Sequence, residues 1–216
     1  MKEDDKMVLC LDVGNTQLYG GIFKDNEIQF HFRKFSDRPS SSDEIGTFLK
    51  TVLRENGVDP QSISQFAICS VVPDMNYSLG HAALYYFKCE PFFLRVGVKT
   101  GLTIRYKNPL EVGADRIANS IAASARYPGQ NIIIVDFGTA TTFDVLTNKA
   151  EYLGGAIAPG VRIAMQSLEE NTAMLPKVEI ISSVPSCGKS TIESIQSGIY
   201  WSNVGMIKEL ISNITN

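Results

Sequence analysis

Two copies of one short unit, an apolar strand that ends in an aspartate and a glycine turn, constrain this chain more than any other feature. The second copy runs from Asn131 to Leu146, where a β-branched apolar run ends at Asp136 and Gly138 opens the turn. A run of about four to eight such residues predicts a strand that is buried on both faces. Glycine allows close approach to a ligand, and turn N–H groups beside Thr139, Thr141 and Thr142 can bind phosphate oxygens.

The first copy lies near the start of the chain, where the run Val8 to Leu11 leads into Asp12-Val-Gly-Asn-Thr16 and then into Tyr19 to Phe23. The two copies are too far apart for a solenoid repeat, and they fit two similar α/β halves. Because aspartate and glycine also favour ordinary turns, one copy alone would indicate only a turn. Two copies between buried strands favour a nucleotide site, in which a cation or water separates each carboxylate from phosphate.

The composition excludes several classes of partner. The chain has 216 residues, of which 44% are hydrophobic, so it can bury one large core or two small ones. A net charge of −3 without a basic block excludes nucleic acid as the main partner. No run predicts a membrane span or a signal peptide, and we therefore expect a cytoplasmic protein. The four cysteines match no zinc spacing and predict buried free thiols: Cys10, Cys69, Cys89 and Cys187.

The order of the predicted elements defines two halves, 1–112 and 113–216. The first half has the order β-β-β-α-β-α-β; its third strand directs Ile28, Phe30 and Phe32 inward, and its first helix buries Ile45, Phe48, Leu49, Val52 and Leu53. The second half repeats the three strands from Asn131 and continues with helices from Val161 and Thr191. We expect this half to lack its last strands, because the first half continues past its helices to further strands.

The segment Gly113-Ala-Asp-Arg116 begins a predicted helix whose apolar face holds Ile117, Ile121 and Ala125. It has two interpretations. Asp115 can serve only to complement the helix dipole, with Arg116 as a solvated surface charge. Alternatively, Asp115 is a poised carboxylate and Arg116 binds an anion at the helix N-terminus.

These motifs together resemble the type III pantothenate kinases, members of the acetate and sugar kinase/Hsp70/actin superfamily. The resemblance covers nearly the whole chain. It rests on five motifs in order: Asp12 to Thr16, Gly113 to Arg116, Asp136 to Thr142, Gly154 to Gly160, and Thr191 to Gly198. It implies an α/β fold with two actin-like (ribonuclease H-like) halves, each a mixed sheet with flanking helices, that face a nucleotide cleft.

The resemblance also implies a role for each matching residue. The ATP phosphates would be lined by Asp12, Val13, Gly14, Asn15, Thr16, Gln17, Leu18 and Tyr19, and ATP would also touch Thr139. Asp136 would hold a monovalent cation, potassium or ammonium, and magnesium would accompany ATP. Pantothenate would be bound by Tyr106, Gly113, Ala114, Asp115, Arg116 and Thr191, with Asp115 as the base. The implied enzyme is a homodimer that makes 4'-phosphopantothenate in coenzyme A biosynthesis.

The chemistry of the residues leads to the same reaction class without the family. Phosphoryl transfer needs positioning, charge neutralisation and a group that orients the attacking hydroxyl. The chain has neither a G-x-x-x-x-G-K-[ST] motif nor a protein-kinase signature, which excludes those two classes.

Two other functions stay open at this point. A non-catalytic regulatory relative would not need Asp115 and Asp136, and a phosphohydrolase would leave Gly113 to Arg116 without a substrate. His31 and His81 are interpreted as structural. Trp201 and the apolar stripe of the last helix predict a core or dimer interface.

Overall fold

The computed structural model describes residues 7–36, 40–182 and 185–215. The chain divides into two compact units, each of which is described by itself. The first unit comprises Met1–Leu102 and Tyr106–Ala122, and the second comprises Thr103–Arg105 and Ala123–Asn216. The described helices include none with both the length and the apolar character that a membrane span requires.

The first unit is built on a five-stranded mixed sheet with the order β3-β2-β1-β4-β5. The first three strands form antiparallel pairs, whereas β4 and β5 extend the sheet in parallel. This is the strand order expected when three hairpin-connected strands are followed by helical crossovers. The strands are β1 (Met7–Val13), β2 (Gln17–Lys24), β3 (Glu27–Phe35), β4 (Ile63–Ser70) and β5 (Pro91–Leu94).

The sheet of the first unit is accompanied by helices, of which the first begins at a recognisable capping signal. Helix α1 (Ser42–Glu55) starts at Ser41, whose hydroxyl accepts the Glu44 N–H while the Glu44 carboxylate accepts the Ser41 N–H. Its predicted apolar face is confirmed, since Ile45, Leu49 and Leu53 are buried in the core. Helix α2 (Pro73–Ala82) continues as a π-helical turn (Ala83–Phe87). Helix α3 (Ala114–Arg126) is preceded by the 3-10 turn Pro109–Glu111.

The inward face predicted for β3 is wrong at one residue. Phe30 and Phe32 pack against the core, but Ile28 is 59% exposed. The pairing shifts between Ile22 and Phe23, so that Ile22 pairs with Phe30 and Phe23 pairs with Ile28. This β-bulge reverses the face on which the following side chains lie, which alternation in the sequence alone does not reveal.

The second unit contains a four-stranded sheet with the order β6-β9-β8-β7. Strands β7, β8 and β9 form an antiparallel meander, the same arrangement as β1, β2 and β3, and β6 pairs with β9 in parallel. Helices α4 (Val161–Glu170) and α5 (Thr191–Thr215) follow. The strands are β6 (Thr103–Ile104), β7 (Ile132–Phe137), β8 (Ala140–Leu146) and β9 (Glu151–Pro159).

Three sequence predictions about burial are wrong. Strand β7 is half-buried rather than buried on both faces, because it is an edge strand of its sheet in the described part of the chain. Cys187 is exposed, whereas Cys69 and Cys89 are buried as predicted. On α3, Ala125 is exposed and the buried side chains are Arg116, Ile117 and Ser120.

The predicted fold class, α/β with two mixed sheets, is confirmed by these topologies. The boundary proposed at 112/113 precedes α3, whereas residues 114–122 group with the first compact unit. Helix α3 therefore starts among the residues of the first unit.

Candidate active site

The turn after β1 is closed by backbone hydrogen bonds and presents polar side chains at its tip. The Gly14 N–H donates to the Gln17 carbonyl at 3.0 Å, and the Thr16 carbonyl accepts the Ser36 N–H at 2.9 Å. The side chains of Asp12, Asn15 and Thr16 are exposed. This turn can therefore present oxygen and amide groups to a ligand without disturbing the sheet.

Two members of the predicted phosphate-binding segment are core residues. The side chains of Val13 and Leu18 have only 0% and 1% of their surface exposed. Since both lie among the core side chains, they can offer a ligand only backbone atoms. Tyr19 closes the segment on β2, where its ring lies 5.0 Å from the Arg33 guanidinium carbon and 5.6 Å from the His31 ring centroid.

The first turn of α3 holds Asp115 in a defined position. Its Oδ1 atom accepts the N–H of Arg116 at 2.8 Å. The same oxygen occupies the space that a β-carbon at position 113 would need, so Gly113 is the residue that permits this carboxylate position. The Gly113 carbonyl accepts the first helical hydrogen bond, from the Ile117 N–H at 3.1 Å.

Arg116 does not behave as the solvated charge that one interpretation of the sequence allowed. Only 6% of its surface is exposed. Burial of a guanidinium is costly unless an anion or several acceptors surround it. The side chain is therefore placed where an anionic group, from the protein or from a ligand, would be favoured.

Cys69, predicted from the sequence only as a buried thiol, lies beside Asp12 and within electrostatic range of Asp115. It is the register partner of Asp12 in the parallel pairing of β1 and β4. Burial raises the pKa of its thiol, and the nearby charges of Asp12 and Asp115 and a hydrogen bond to Asp12 raise it further. Cys69 thus lies within electrostatic range of both Asp12 and Asp115. No sequence signal reveals this, because the pairing of Cys69 with Asp12 depends on the register of two parallel strands.

Two cavities open near these residues in the first unit. One of about 480 Å³ includes Ser70, Val112 and Ala114, the residue before Asp115. The other, of about 590 Å³, includes Asp12, Cys69 and Tyr19 and is otherwise mainly apolar. Both are large enough for a small organic ligand.

In the second unit, Asp136 is the penultimate residue of β7 and its side chain is exposed, as the sequence predicted. The turn that follows is closed by the Gly138 N–H, which donates to the Ala140 carbonyl at 3.0 Å. The Thr139 carbonyl accepts the Gly160 N–H at 3.1 Å. A β-carbon at Gly160 would collide with the carbonyl oxygens of Gly138 and Thr139, so glycine is needed there for β9 to pack against the turn.

Of the three threonines expected to present a hydroxyl to phosphate, only Thr139 has an exposed side chain. Thr139 is exposed, whereas Thr141 is fully buried and its hydroxyl has no hydrogen-bond partner among the described residues. The Thr142 hydroxyl donates to Asp144 Oδ2 at 3.5 Å. Asp144 itself is fully buried, and its Oδ1 accepts the Tyr152 hydroxyl proton at 2.7 Å.

The remaining predicted site residues lie on two separate segments. Thr191 is exposed at the first position of α5, and the preceding Ser190 caps the helix by accepting the Glu193 N–H at 3.2 Å. Tyr106 is half-buried. The residue before it, Arg105, donates from Nε and Nη2 to Glu151 Oε1 at 2.9 and 2.6 Å.

Comparison with known proteins identifies the family. A sequence model described as type III pantothenate kinase matches residues 8–213. A Legionella pneumophila (strain Philadelphia 1) protein named type III pantothenate kinase is 57% identical over 208 residues, which cover 96% of this chain and 81% of that protein. A protein of the same name from Elusimicrobium minutum is 45% identical over the same coverage. The chain belongs to the type III pantothenate kinase family.

A solved structure supports the fold of this family member independently. A Campylobacter jejuni protein described as a Baf family transcriptional activator superposes with a TM-score of 0.57 over 94% of this chain and 78% of its own. Its sequence is only 17% identical, so the comparison concerns the fold alone.

The donor atoms around Asp136 in this type III pantothenate kinase family member are oxygens. The exposed carboxylate is accompanied by the carbonyl and hydroxyl oxygens of the adjacent turn, and hard cations take oxygen ligands. Zinc and similar ions instead favour clusters of histidine, cysteine and carboxylate. The described residues contain no group of three or more such side chains.

Proposed function

We propose that this protein transfers the γ-phosphoryl group of ATP to pantothenate, the first step of coenzyme A biosynthesis. Family membership over residues 8–213 supports the reaction. The observation within the structure that carries the proposal is the meeting of two motifs at Cys69. The aspartate of the β1 turn and the aspartate of the α3 N-terminus both act on that thiol. A phosphate-binding turn and a proton-accepting carboxylate close together are what phosphoryl transfer to an alcohol requires.

Asp115 acts as the base in this proposal. In the reaction, the pantothenate hydroxyl oxygen bonds to the γ-phosphorus, the bond from that phosphorus to the ADP oxygen breaks, and the hydroxyl proton passes to Asp115. A loose transition state demands little base strength, so a carboxylate of ordinary basicity suffices. The Arg116 N–H that Asp115 Oδ1 accepts holds the carboxylate in one orientation.

The other substrate contacts follow from exposure and charge. The turn at Gly14 to Gln17 binds the ATP phosphates through backbone N–H groups and the exposed side chains of Asn15 and Thr16, and Thr139 contacts ATP as well. Gly113, Ala114, Arg116, Tyr106 and Thr191 bind pantothenate. Within that set, buried Arg116 favours an anionic group of the substrate.

Asp136 holds a potassium or ammonium ion, and magnesium arrives with ATP. The cation supplies positive charge that offsets the negative charge of ATP phosphates near an exposed carboxylate. The protein's own contribution is to hold Asp136 near the end of β7, beside a turn that is closed by the hydrogen bond from the Gly138 N–H to the Ala140 carbonyl.

The working form is a cytoplasmic homodimer. Its interface would include α5, where Tyr200 and Trp201 are 36% and 44% exposed and their rings meet edge to face at 5.2 Å. Exposed aromatic pairs of this kind are common at the centres of protein interfaces. Trp201 is therefore not the core residue that one interpretation of the sequence predicted.

A coupled assay of ADP release, run with and without pantothenate, tests the function. The proposal predicts release that depends on pantothenate, with phosphopantothenate formed in equal amount. ADP release that is independent of pantothenate would indicate a phosphohydrolase instead. No release under either condition, from folded protein with potassium and magnesium present, would indicate a regulatory protein.

A further inference from the structure

We propose that Cys69 is a positioning residue for the kinase reaction, whose thiol donates a hydrogen bond to Asp12 and fixes the orientation of that carboxylate. This inference rests on the proposed function, because it assigns to Asp12 and Asp115 the roles given there. Cys69 itself touches neither substrate in this proposal. It acts through Asp12.

The sheet geometry places the two side chains together. In the parallel pairing of β1 and β4, Asp12 is the partner of Cys69, and neighbouring strands lie about 4.8 Å apart. Paired residues direct their side chains to the same face, and both residues line the same cavity of about 590 Å³. Only 9% of Cys69 is exposed, so its thiol has little access to solvent.

The surroundings of Cys69 keep it a proton donor. Burial raises the pKa of the thiol, and the negative charges of Asp12 and Asp115 raise it further, so the neutral S–H form persists through the physiological pH range. Reactive cysteines need the opposite setting, with positive groups that favour the thiolate. Cys69 is therefore suited to donating a hydrogen bond and unsuited to acting as a nucleophile.

A donor at this position affects both aspartates. Asp12 is an exposed carboxylate near the end of β1, and a hydrogen bond from the thiol restricts the rotamers that its side chain adopts. Its charge also repels that of Asp115, and a neutral donor next to Asp12 offsets part of this repulsion. A fixed Asp12 keeps its orientation toward the phosphate-binding turn while ATP binds.

Three variants test the role of the hydrogen bond. Cys69→Ala removes the donor, Cys69→Ser retains it, and Cys10→Ala is the matched control. Cys10 lies on the same strand as Asp12 and lines the same cavity, but its partner on β4 is Ala67. We expect kcat/KM for ATP to fall about tenfold in Cys69→Ala, to recover to within about threefold in Cys69→Ser, and to stay within about twofold in Cys10→Ala. KM for pantothenate should change in none of them.

A spectroscopic measurement tests the contact independently of catalysis. The S–H stretching vibration absorbs where other protein groups do not, and a hydrogen bond lowers its frequency. The difference spectrum of wild type minus Cys69→Ser isolates the S–H band of Cys69, and that of wild type minus Cys10→Ser isolates the band of Cys10. The Cys69 band should lie at the lower frequency of the two. In the Asp12→Asn background, the Cys69 band should move to higher frequency, because an amide oxygen is a weaker acceptor than a carboxylate.

The outcomes separate this inference from the proposed function. A Cys69 band that is unshifted and insensitive to Asp12→Asn would overturn the positioning role, whatever the enzyme's activity. Full activity in a correctly folded Cys69→Ala would overturn it as well. A wild-type protein without pantothenate-dependent activity but with the shifted, Asp12-sensitive band would instead reject the proposed function and retain the hydrogen bond. Circular dichroism spectra of all variants establish that each remains folded.

Discussion

The carboxylate of Asp115 occupies the space that Gly113 leaves by having no side chain. Gly113 has a second close neighbour, Val71 Cγ1, at 3.7 Å from the position of a β-carbon. The glycine of the Gly-Ala-Asp-Arg motif is therefore a condition for the position of the aspartate two residues later. Its φ angle is not among the positive ones, so an alanine at this position would not strain the backbone.

Gly113→Ala should lower kcat without unfolding the protein. The new methyl group displaces only the far end of the flexible Asp115 side chain, which costs little stability but moves the base. A displacement of about 1 Å can cost up to about 100-fold in rate. Gly80→Ala in α2 is the matched control, since its methyl group would meet Phe93 at an ordinary 3.8 Å. Equal kcat in both variants would contradict the positioning of Asp115 by Gly113.

Asp115→Asn should lower kcat by about 10²- to 10⁴-fold, because the amide cannot accept the substrate proton. In the native protein the Arg116 N–H donates to Asp115 Oδ1 at 2.8 Å. The asparagine Oδ1 can accept the same hydrogen bond, so the fold should be retained. Asp74→Asn, at the equivalent position in the first turn of α2, is the control and should keep its full rate. Steady-state kinetics and thermal unfolding of both variants make the comparison. Unaltered turnover in Asp115→Asn would remove this residue from the chemistry.

Potassium or ammonium should be required for activity, and sodium or Tris at the same ionic strength should not replace them. Replacing Asp136 with asparagine removes the charge at the end of β7 and should raise the potassium concentration needed for half-maximal rate by about tenfold. The measurement is a potassium titration of the rate at fixed magnesium and ATP. If the wild-type enzyme is fully active without either ion, the assignment of Asp136 is wrong.

Trp201→Glu should dissociate the dimer and lower activity together. Buried interface tryptophans contribute about 2 kcal/mol or more, so the dissociation constant should rise about thirtyfold or more. Ile199 is unsuitable for this test, because it is buried within the second unit against Met165 and Leu168. Tyr77→Glu, at an aromatic residue that is 73% exposed on α2, is the control. Sedimentation velocity and kinetics are measured over the same range of protein concentration. A variant that is monomeric and fully active would contradict a site that depends on the dimer.

Tyr152→Phe should destabilise the second unit by about 1–3 kcal/mol, because it leaves the buried Asp144 carboxylate without its 2.7 Å donor. The longer contact from Thr142, at 3.5 Å, does not replace it. Tyr127→Phe removes the same atom from a residue that is 47% exposed and should have almost no effect. Urea unfolding of the three proteins measures the difference. Equal unfolding midpoints would show that the hydrogen bond from Tyr152 to Asp144 does not stabilise the folded protein.

The elements that the sequence predicts well are those specified by neighbouring residues. Both aspartate-glycine turns connect antiparallel strands, as their patterns indicate. Helix α1 buries the expected side chains because an apolar stripe at helical spacing needs only one covering surface. Family membership can also be recognised from the sequence, since it depends on the order of short motifs rather than on packing.

The sequence by itself determined the strands, the turns, the family and the candidate residues, because each is encoded in side chains that are close in the chain. Tertiary structure decided which of those residues are buried. It placed Arg116 out of solvent, Val13 and Leu18 in the core and Ile28 on the opposite face of β3. It also set Cys69 beside Asp12, since the register of two parallel strands depends on how the helices between them pack. No local pattern carries that information.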